Sequence, residues 1–334
     1  MKYSIIITTY NKASYIKKCI DSVMNQTIKD FKVIIVDDGS TDNTKEILKP
    51  YLKNKNIEYY YKKNTGVADS RNFGISKVKT KYFMFIDSDD YISDTLIEEI
   101  NKYKDYDVLS FKGIKISEEG QEIKRLEKSA FNSIVGTKYL YDLMEKGHFF
   151  LVPWGYVYNT EFWKKHNFLY TKNYVMEDAG LTPIVILNAK KIVSIDYYGY
   201  YYVQSQESIM RTEDEEKIKL KTKSILYQYD TFTEYVNSKD YNKELKESFN
   251  NYFAKLVLWY GSTLKNKDLK SYSKEMKKRD IVNKLKNKAL TTTVKIILCK
   301  IDYRLFFLIH RMLYPKEDKW LILYVDTFKK YICF

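Results

Sequence analysis

Three short apolar runs in the first 90 residues each stop abruptly in polar or acidic side chains, and no other feature restricts the fold so tightly. Tyr3-Ser-Ile-Ile-Ile-Thr8 leads into Thr9-Tyr10-Asn11, Phe31-Lys-Val-Ile-Ile-Val36 into Asp37-Asp38, and Tyr82-Phe-Met-Phe-Ile86 into Asp87-Ser-Asp89-Asp90. Runs of this length, bounded in this way, read as buried strands. Between the first two, Tyr15, Ile16, Cys19, Ile20, Val23 and Met24 recur at helical spacing. Ile47, Leu48, Tyr51 and Leu52 mark a second helix, with Thr41 or Asp42 as its N-cap. A strand over 57–61 and a helix over 66–78 continue the alternation, which predicts an α/β fold with a mixed, mostly parallel sheet flanked by helices. Ligands of such sheets sit beyond the carboxyl ends of the strands. All three polar clusters fall there.

On an extended chain Asp87 and Asp89 point the same way and can share one ligand. A hard divalent cation, which takes oxygen donors and bridges to phosphate, suits them. The other reading is a solvated strand-to-turn junction, with Asp90 or Ser93 capping the next helix. No Gly-x-Gly-x-x-Gly follows the first strand and no Gly-x-x-x-x-Gly-Lys-Ser/Thr occurs, which argues against dinucleotide-binding dehydrogenases and P-loop NTPases.

Further along, residues 107–126 read as a hairpin extension turning at Glu118-Glu119-Gly120. An aromatic stretch from Phe149 through Pro153-Trp154-Gly155 follows. Residues 174–188 open with the acidic pair Glu177-Asp178 and read as a helix, and 197–203 as a tyrosine-packed strand. From residue 212 the chain turns to lysine-rich helical segments. Residues 215–334 hold 26 Lys and Arg against 14 Asp and Glu, so +12 of the net +14 lies there. Such asymmetry predicts an anionic partner for that region. Within 294–313, Lys300, Arg304 and Arg311 share one helical face opposite Ile, Leu and Phe; that helix either lies in a membrane interface or packs its apolar face on the rest of the protein.

A hydrophobic content of 45% is ample for a folded core. Cys19, Cys299 and Cys333 form no metal-ligand spacing and no disulfide framework, which predicts a reducing compartment. The first apolar run is too short for a signal peptide, and no apolar stretch is long enough to span a membrane.

Four segments carry a family resemblance: Ile5-Ile-Ile-Thr-Thr-Tyr-Asn11, Val36-Asp-Asp-Gly-Ser-Thr-Asp42, Asn64-Thr-Gly-Val-Ala-Asp-Ser-Arg-Asn-Phe-Gly74 and Phe85-Ile-Asp-Ser-Asp-Asp90. In this order and at these spacings they resemble the serial motifs of family 2 glycosyltransferases. The resemblance implies a GT-A fold over 1–211, with a nucleotide-sugar-binding half (1–105) and an acceptor-binding half (106–211), followed by a basic helical region (212–334). It further implies inverting transfer of a hexosyl or N-acetylhexosaminyl group from a nucleotide-diphosphate sugar, with a UDP-sugar expected. The acceptor would be a hydroxyl of a cell-surface glycan, glycolipid or polymer, and the enzyme would be cytoplasmic, peripheral on the inner membrane face.

By motif, Thr8 and Tyr10 border the nucleotide, the Tyr10 ring packing on the base, with Asn11, Gly66 and Ser88 in the same donor site. Asp38 bonds the base, and Arg71 lies near base or phosphates; the other reading of Arg71 is an ion pair with Asp38 or another strand-end carboxylate, and the two are compatible. Asp89 ligates Mn2+ or Mg2+, and Asp87 contacts ribose or the metal. Asp178 is the general base, with Glu177 a supporting or substitute carboxylate; the other reading is an acidic pair favoured by a helix dipole. Trp154 walls the sugar or acceptor pocket or is a core aromatic. Ser208 and Arg211 contact the diphosphate. Relatives often carry Lys where this chain has Tyr156, so a cationic contact there comes from elsewhere or is absent. A non-catalytic nucleotide-sugar-binding or scaffold subunit is the alternative. A nucleic-acid binder is not expected, since interleaved aromatic-basic readout motifs are missing.

Overall fold

The computed structural model describes residues 1–148, 151–205, 214–285 and Phe307. The chain divides into two compact units, Met1–Leu140 with Phe149–Ser208, and Tyr141–His148 with Ile209–Phe334.

In the first unit the order is β1 (Tyr3–Thr9), α1 (Ala13–Met24), β2 (Phe31–Asp37), α2 (Thr44–Leu48), β3 (Ile57–Tyr61), α3 (Val67–Lys77), β4 (Tyr82–Asp87), β5 (Tyr91–Ile92), α4 (Leu96–Asn101), β6 (Val108–Ile116), β7 (Glu122–Leu126) and β8 (Phe131–Ile134). Then come α5 (Gly136–Glu145), which passes from this unit to the other after Leu140, β9 (Tyr156–Asn159), α6 (Thr160–Lys165), α7 (Glu177–Asn188) and β10 (Ile192–Val203). The strands form one sheet in the order β3-β2-β1-β4-β9-β6-β10-β5, with β7 on β6 and β8 on β10. Pairing is parallel from β3 through β4. The antiparallel pairs enter beyond it, with β9 between β4 and β6, although β6 and β10 again run parallel.

The sequence accounts for the parallel half. Each residue of β1 is buried, as a central strand covered on both faces requires. Ile16, Cys19, Ile20 and Val23 of α1 close one side of the core. Gly74 lets α3 approach β1, because a Cβ there would stand 2.6 Å from Ile6 Cγ2. Two expectations change. The helix expected to reach Leu52 stops at Leu48, since Pro50 removes the amide that would continue it, and a short 3-10 turn covers Tyr51–Lys53. β10 begins at Ile192 rather than residue 197.

In the second unit α8 (Glu215–Asn237) and α9 (Lys243–Ser262) pack through Phe232, Phe249 and Phe253, whose rings stack, and the Tyr272 hydroxyl of α10 (Asn266–Lys278) donates to the Val257 carbonyl of α9 at 2.8 Å. Asp214 and Asn242 cap α8 and α9 by accepting from the Lys217 and Leu245 amides. Arg279 donates Nε and Nη2 to the two oxygens of Asp230 at 2.7 Å. Among the described residues no helix is long and apolar enough to cross a membrane. The amphipathic segment expected over 294–313 lies outside the described residues, Phe307 apart.

Candidate active site

The site assembles around the turn that ends β4. Asp87 stands opposite Thr8 of β1 in register, and the chain then folds back, the Asp90 amide donating to the Asp87 carbonyl at 3.0 Å. The strand therefore ends at Asp87, and the turn, not strand alternation, sets Asp89 relative to Asp87. Asp90 points inward and is 2% exposed. Its Oδ2 accepts from the Tyr200 hydroxyl at 2.7 Å and its Oδ1 from the Val203 amide at 2.8 Å. That same hydroxyl accepts from the Asp87 amide at 3.1 Å. One tyrosine of β10 thus clamps both ends of the turn. Burial, then the charges of Asp89 and Asp87, push the Asp90 carboxyl well above the usual range.

Neither Asp90 nor Ser93 caps a helix by its side chain: α4 has Thr95 at its N-cap, and Ser93 Oγ meets the Thr95 and Tyr197 hydroxyls. Trp154 is buried and stacks on Tyr200 at 4.3 Å between ring centroids. It is a core aromatic that backs the clamping tyrosine, not an open pocket wall. Cys19 donates its thiol to the Asp87 carbonyl from beneath.

With Asp90 turned in, Asp87 and Asp89 remain partly open. Arg71 of α3, itself 5% exposed, donates Nη2 to Asp87 Oδ1 at 3.0 Å and Nη1 to Glu177 Oε1. Its guanidinium lies over the rings of Phe85 and Tyr170. Burial alone would favour the neutral guanidine, but the charges of Glu177 and Asp87 outweigh it and raise the pKa. The ion pair expected of Arg71 is present, with Asp87 and Glu177 as partners in place of Asp38.

Asp38 is committed elsewhere. Its oxygens accept from the Thr65 amide at 3.0 Å, the Gly66 amide at 2.8 Å and the Lys62 ammonium. Gly66, at φ 94°, and Gly39, at φ 83°, carry the left-handed geometry of this crossing. A Cβ on Gly39 would stand 2.9 Å from the Asn64 nitrogen. Asn11 is left-handed too, and its Oδ1 accepts from the Thr41 amide while its own amide donates to Ser40 Oγ. Asp38 and Asn11 therefore shape the loops around the strand ends. Tyr10, 46% exposed, stands free at the mouth, with Thr8 buried behind it and Ser88 buried in the turn.

Opposite lies the start of α7. Met176 precedes it at φ 61°, a conformation unfavourable for an unbranched apolar residue that aims the acidic pair at Arg71. Glu177, 3% exposed, is held by Arg71. Asp178 is half-buried; its Oδ1 accepts from the Ala179 amide. Burial, then the Glu177 charge, push its carboxyl up to about 8, against the lowering influence of Arg71. Ser208 and Arg211 lie outside the described residues.

Among the described residues no three His, Cys, Asp or Glu side chains cluster as a self-sufficient metal cage. The donor set fits a cation of another kind: Mg2+-type ions bind through one or two carboxylates completed by substrate phosphates, and Asp89 with Asp87 offers that. Three contributors escaped the sequence reading. Lys12 pairs with Asp89 at 2.9 Å, Lys62 pairs with Asp38, and Tyr200 clamps the turn. Lys12 directly follows the polar cluster after β1 and Lys62 directly follows β3, the one available signal.

Comparison with known proteins agrees with this geometry. Residues 4–166 match the family model described as glycosyl transferase family 2. An uncharacterized glycosyltransferase of Rickettsia bellii (strain RML369-C) is 37% identical over 41% of this chain and 20% of its own length. The uncharacterized glycosyltransferase EpsJ of Bacillus subtilis (strain 168) is 25% identical over 62% of each chain. The chain thus spans less than two thirds of either relative. The crystal structure of S. aureus TarS 1-349 in complex with UDP-GlcNAc superposes with a TM-score of 0.73 at 19% identity, covering 95% of this chain and 93% of that one. The fold is of the GT-A type. Residues 4–166 form a glycosyltransferase family 2 domain.

Proposed function

We propose that this protein transfers a sugar from a nucleotide-diphosphate donor, with UDP as the nucleotide, to an acceptor hydroxyl with inversion at the anomeric carbon. One observation carries the reading: Arg71 draws together Asp87, from the β4 turn, and Glu177, which neighbours Asp178, across 106 residues of sequence. One guanidinium thus joins a carboxylate of the proposed metal turn to the neighbour of the proposed base, which supports reading them as one site.

Tyr10 offers its exposed ring to the base, in a mouth shaped by the Asp38 and Asn11 loops. Asp87 lies where it meets the ribose or the metal's water shell. Asp89 would hold Mn2+ or Mg2+, which when bound neutralises charge developing on the leaving diphosphate. Asp178 accepts the acceptor's hydroxyl proton as that oxygen attacks the anomeric carbon and the bond to the diphosphate breaks. Its raised pKa suits a group that must take a proton near neutrality. The relatives named glycosyltransferases and the UDP-GlcNAc complex of TarS support both the donor class and the reaction. The acceptor-facing half remains the region 106–211, and the basic region from 212 is assigned to an anionic or lipid-linked acceptor by its charge.

The test is donor turnover. The full chain is incubated with a panel of nucleotide sugars and Mn2+, and released nucleotide diphosphate is measured. Release from one UDP-sugar, abolished by EDTA, is expected. No release from any donor, despite nucleotide binding, would favour a non-catalytic binding subunit.

A further inference from the structure

We infer that Lys12 is a resident counter-ion of Asp89, occupying the carboxylate until a divalent cation arrives with the donor, and that it thereby couples metal loading to donor loading. The inference rests on the metal-site reading above and adds a positioning residue to it. Lys12 Nζ donates to Asp89 Oδ2 at 2.9 Å, and both side chains are largely shielded, 18% and 23% exposed. Among the described residues this is the one ion pair of either group. The lysine backbone is anchored, its amide donating to Thr44 Oγ1 at 3.0 Å. Its ammonium also lies 5.4 Å from the centre of the Tyr15 ring, whose hydroxyl is held by Glu118 at 2.8 Å.

The contrast with Arg71 gives the pair its meaning. Arg71 is forked between two carboxylates and buried under aromatic rings, so it cannot leave. Lysine carries a point charge on a flexible four-carbon stem with three rotatable donors. It can release Asp89 by rotating its side chain while its backbone stays fixed. A divalent cation on Asp89 and an ammonium at the same carboxylate repel each other strongly where shielding from water is partial. The cation must therefore displace Lys12. The released ammonium stays tethered at the β1 end, among the clusters that face the opening, and an anionic diphosphate oxygen is its natural next partner. Metal alone then meets an internal competitor, whereas metal with diphosphate relocates that competitor to a new anion. Each ligand strengthens the other.

The measurement is Mn2+ binding to the full chain by electron paramagnetic resonance, without and with UDP. Lys12→Met is expected to bind Mn2+ alone about three- to tenfold more tightly than wild type. At saturating Mn2+ it should bind UDP about tenfold more weakly. Lys12→Arg keeps a cation at the site and is expected to follow the wild type for Mn2+. Circular dichroism checks that the variants are folded. Unchanged or weaker Mn2+ binding in folded Lys12→Met overturns the inference while leaving the metal site intact. Asp89→Asn separates the two claims: if it leaves Mn2+ binding unchanged, the metal site itself is refuted, and the role of Lys12 falls with it.

Discussion

Removing Arg71 is the sharpest physical test of the site. Arg71→Met preserves most of the side-chain volume but strips the charge that Glu177 and Asp87 share. Breaking a buried pair by deleting one partner costs about 3–5 kcal/mol, because the other charge stays buried and uncompensated. For a unit of this size each kcal/mol moves the melting temperature by about 2–4 °C, so a fall of roughly 6–20 °C is expected. The pH dependence carries a definite sign. Burial already raises the Glu177 and Asp87 carboxyls, and Arg71 opposes that rise. Without Arg71 both rise further, so the folded protein binds protons that the unfolded chain releases. That stabilisation is present below the ordinary carboxylate range and is lost as pH climbs through the raised values. The deficit of Arg71→Met against wild type must therefore be smaller at about pH 5 than at about pH 8.5. Adding Glu177→Gln removes the charge left without a partner and should restore part of the loss. Thermal unfolding of the three proteins at both pH values decides it. A melting point within about 2 °C of wild type, or no recovery in the double variant, would refute the buried-bridge account.

Other outcomes follow from the same geometry. Asp178→Asn should lower transfer by about 10²–10⁴-fold while leaving UDP binding nearly unchanged; retained turnover would dismiss Asp178 as the base. A base works unprotonated, so the wild-type rate should rise with pH through about 8, the value to which Asp178 is pushed, and a pH–rate profile without that limb would count against the assignment. Tyr200→Phe keeps the ring on Trp154 but leaves the Asp87 amide and Asp90 Oδ2 without their shared hydroxyl. It should cost about 1–3 kcal/mol in urea unfolding. A loss below about 0.5 kcal/mol would show that the hydroxyl does not clamp the turn.

How much of this was legible in the chain depends on the range of the signal. The parallel strands announced themselves because buried runs such as 3–8 and 31–36 stop against Thr9-Tyr10-Asn11 and Asp37-Asp38. The strand β9 gave no such warning. It is four residues long, and the antiparallel partners β4 and β6 that define it are distant in sequence. The carboxylates Asp87, Asp89 and Asp178 stood out by residue type. What each one faces did not, since Arg71 reaches Glu177 across 106 positions. Lys12 and Lys62 were hidden by abundance, two cations among 57. Trp154 and Asp90 misled for a common reason: an aromatic beside Pro and Gly, or a carboxylate beside two others, looks exposed until the strand that covers it is known.

The clamp on the β4 turn has a consequence for the order in which the protein is made. The segment from Tyr82 to Asp90 leaves the ribosome long before the residues that hold it, Tyr200 and Val203, which lie 110 and 113 positions from Asp90. Until β10 is synthesised and seated beside β6, Asp90 has neither of those donors, and its neighbours Asp87 and Asp89 hang on an unfastened loop. The nascent chain can therefore fold its parallel strands early, yet it gains a shaped cation-and-donor seat only near the end of the first unit's translation. A truncated product ending before residue 200 should carry every acidic letter of the motif and none of its geometry.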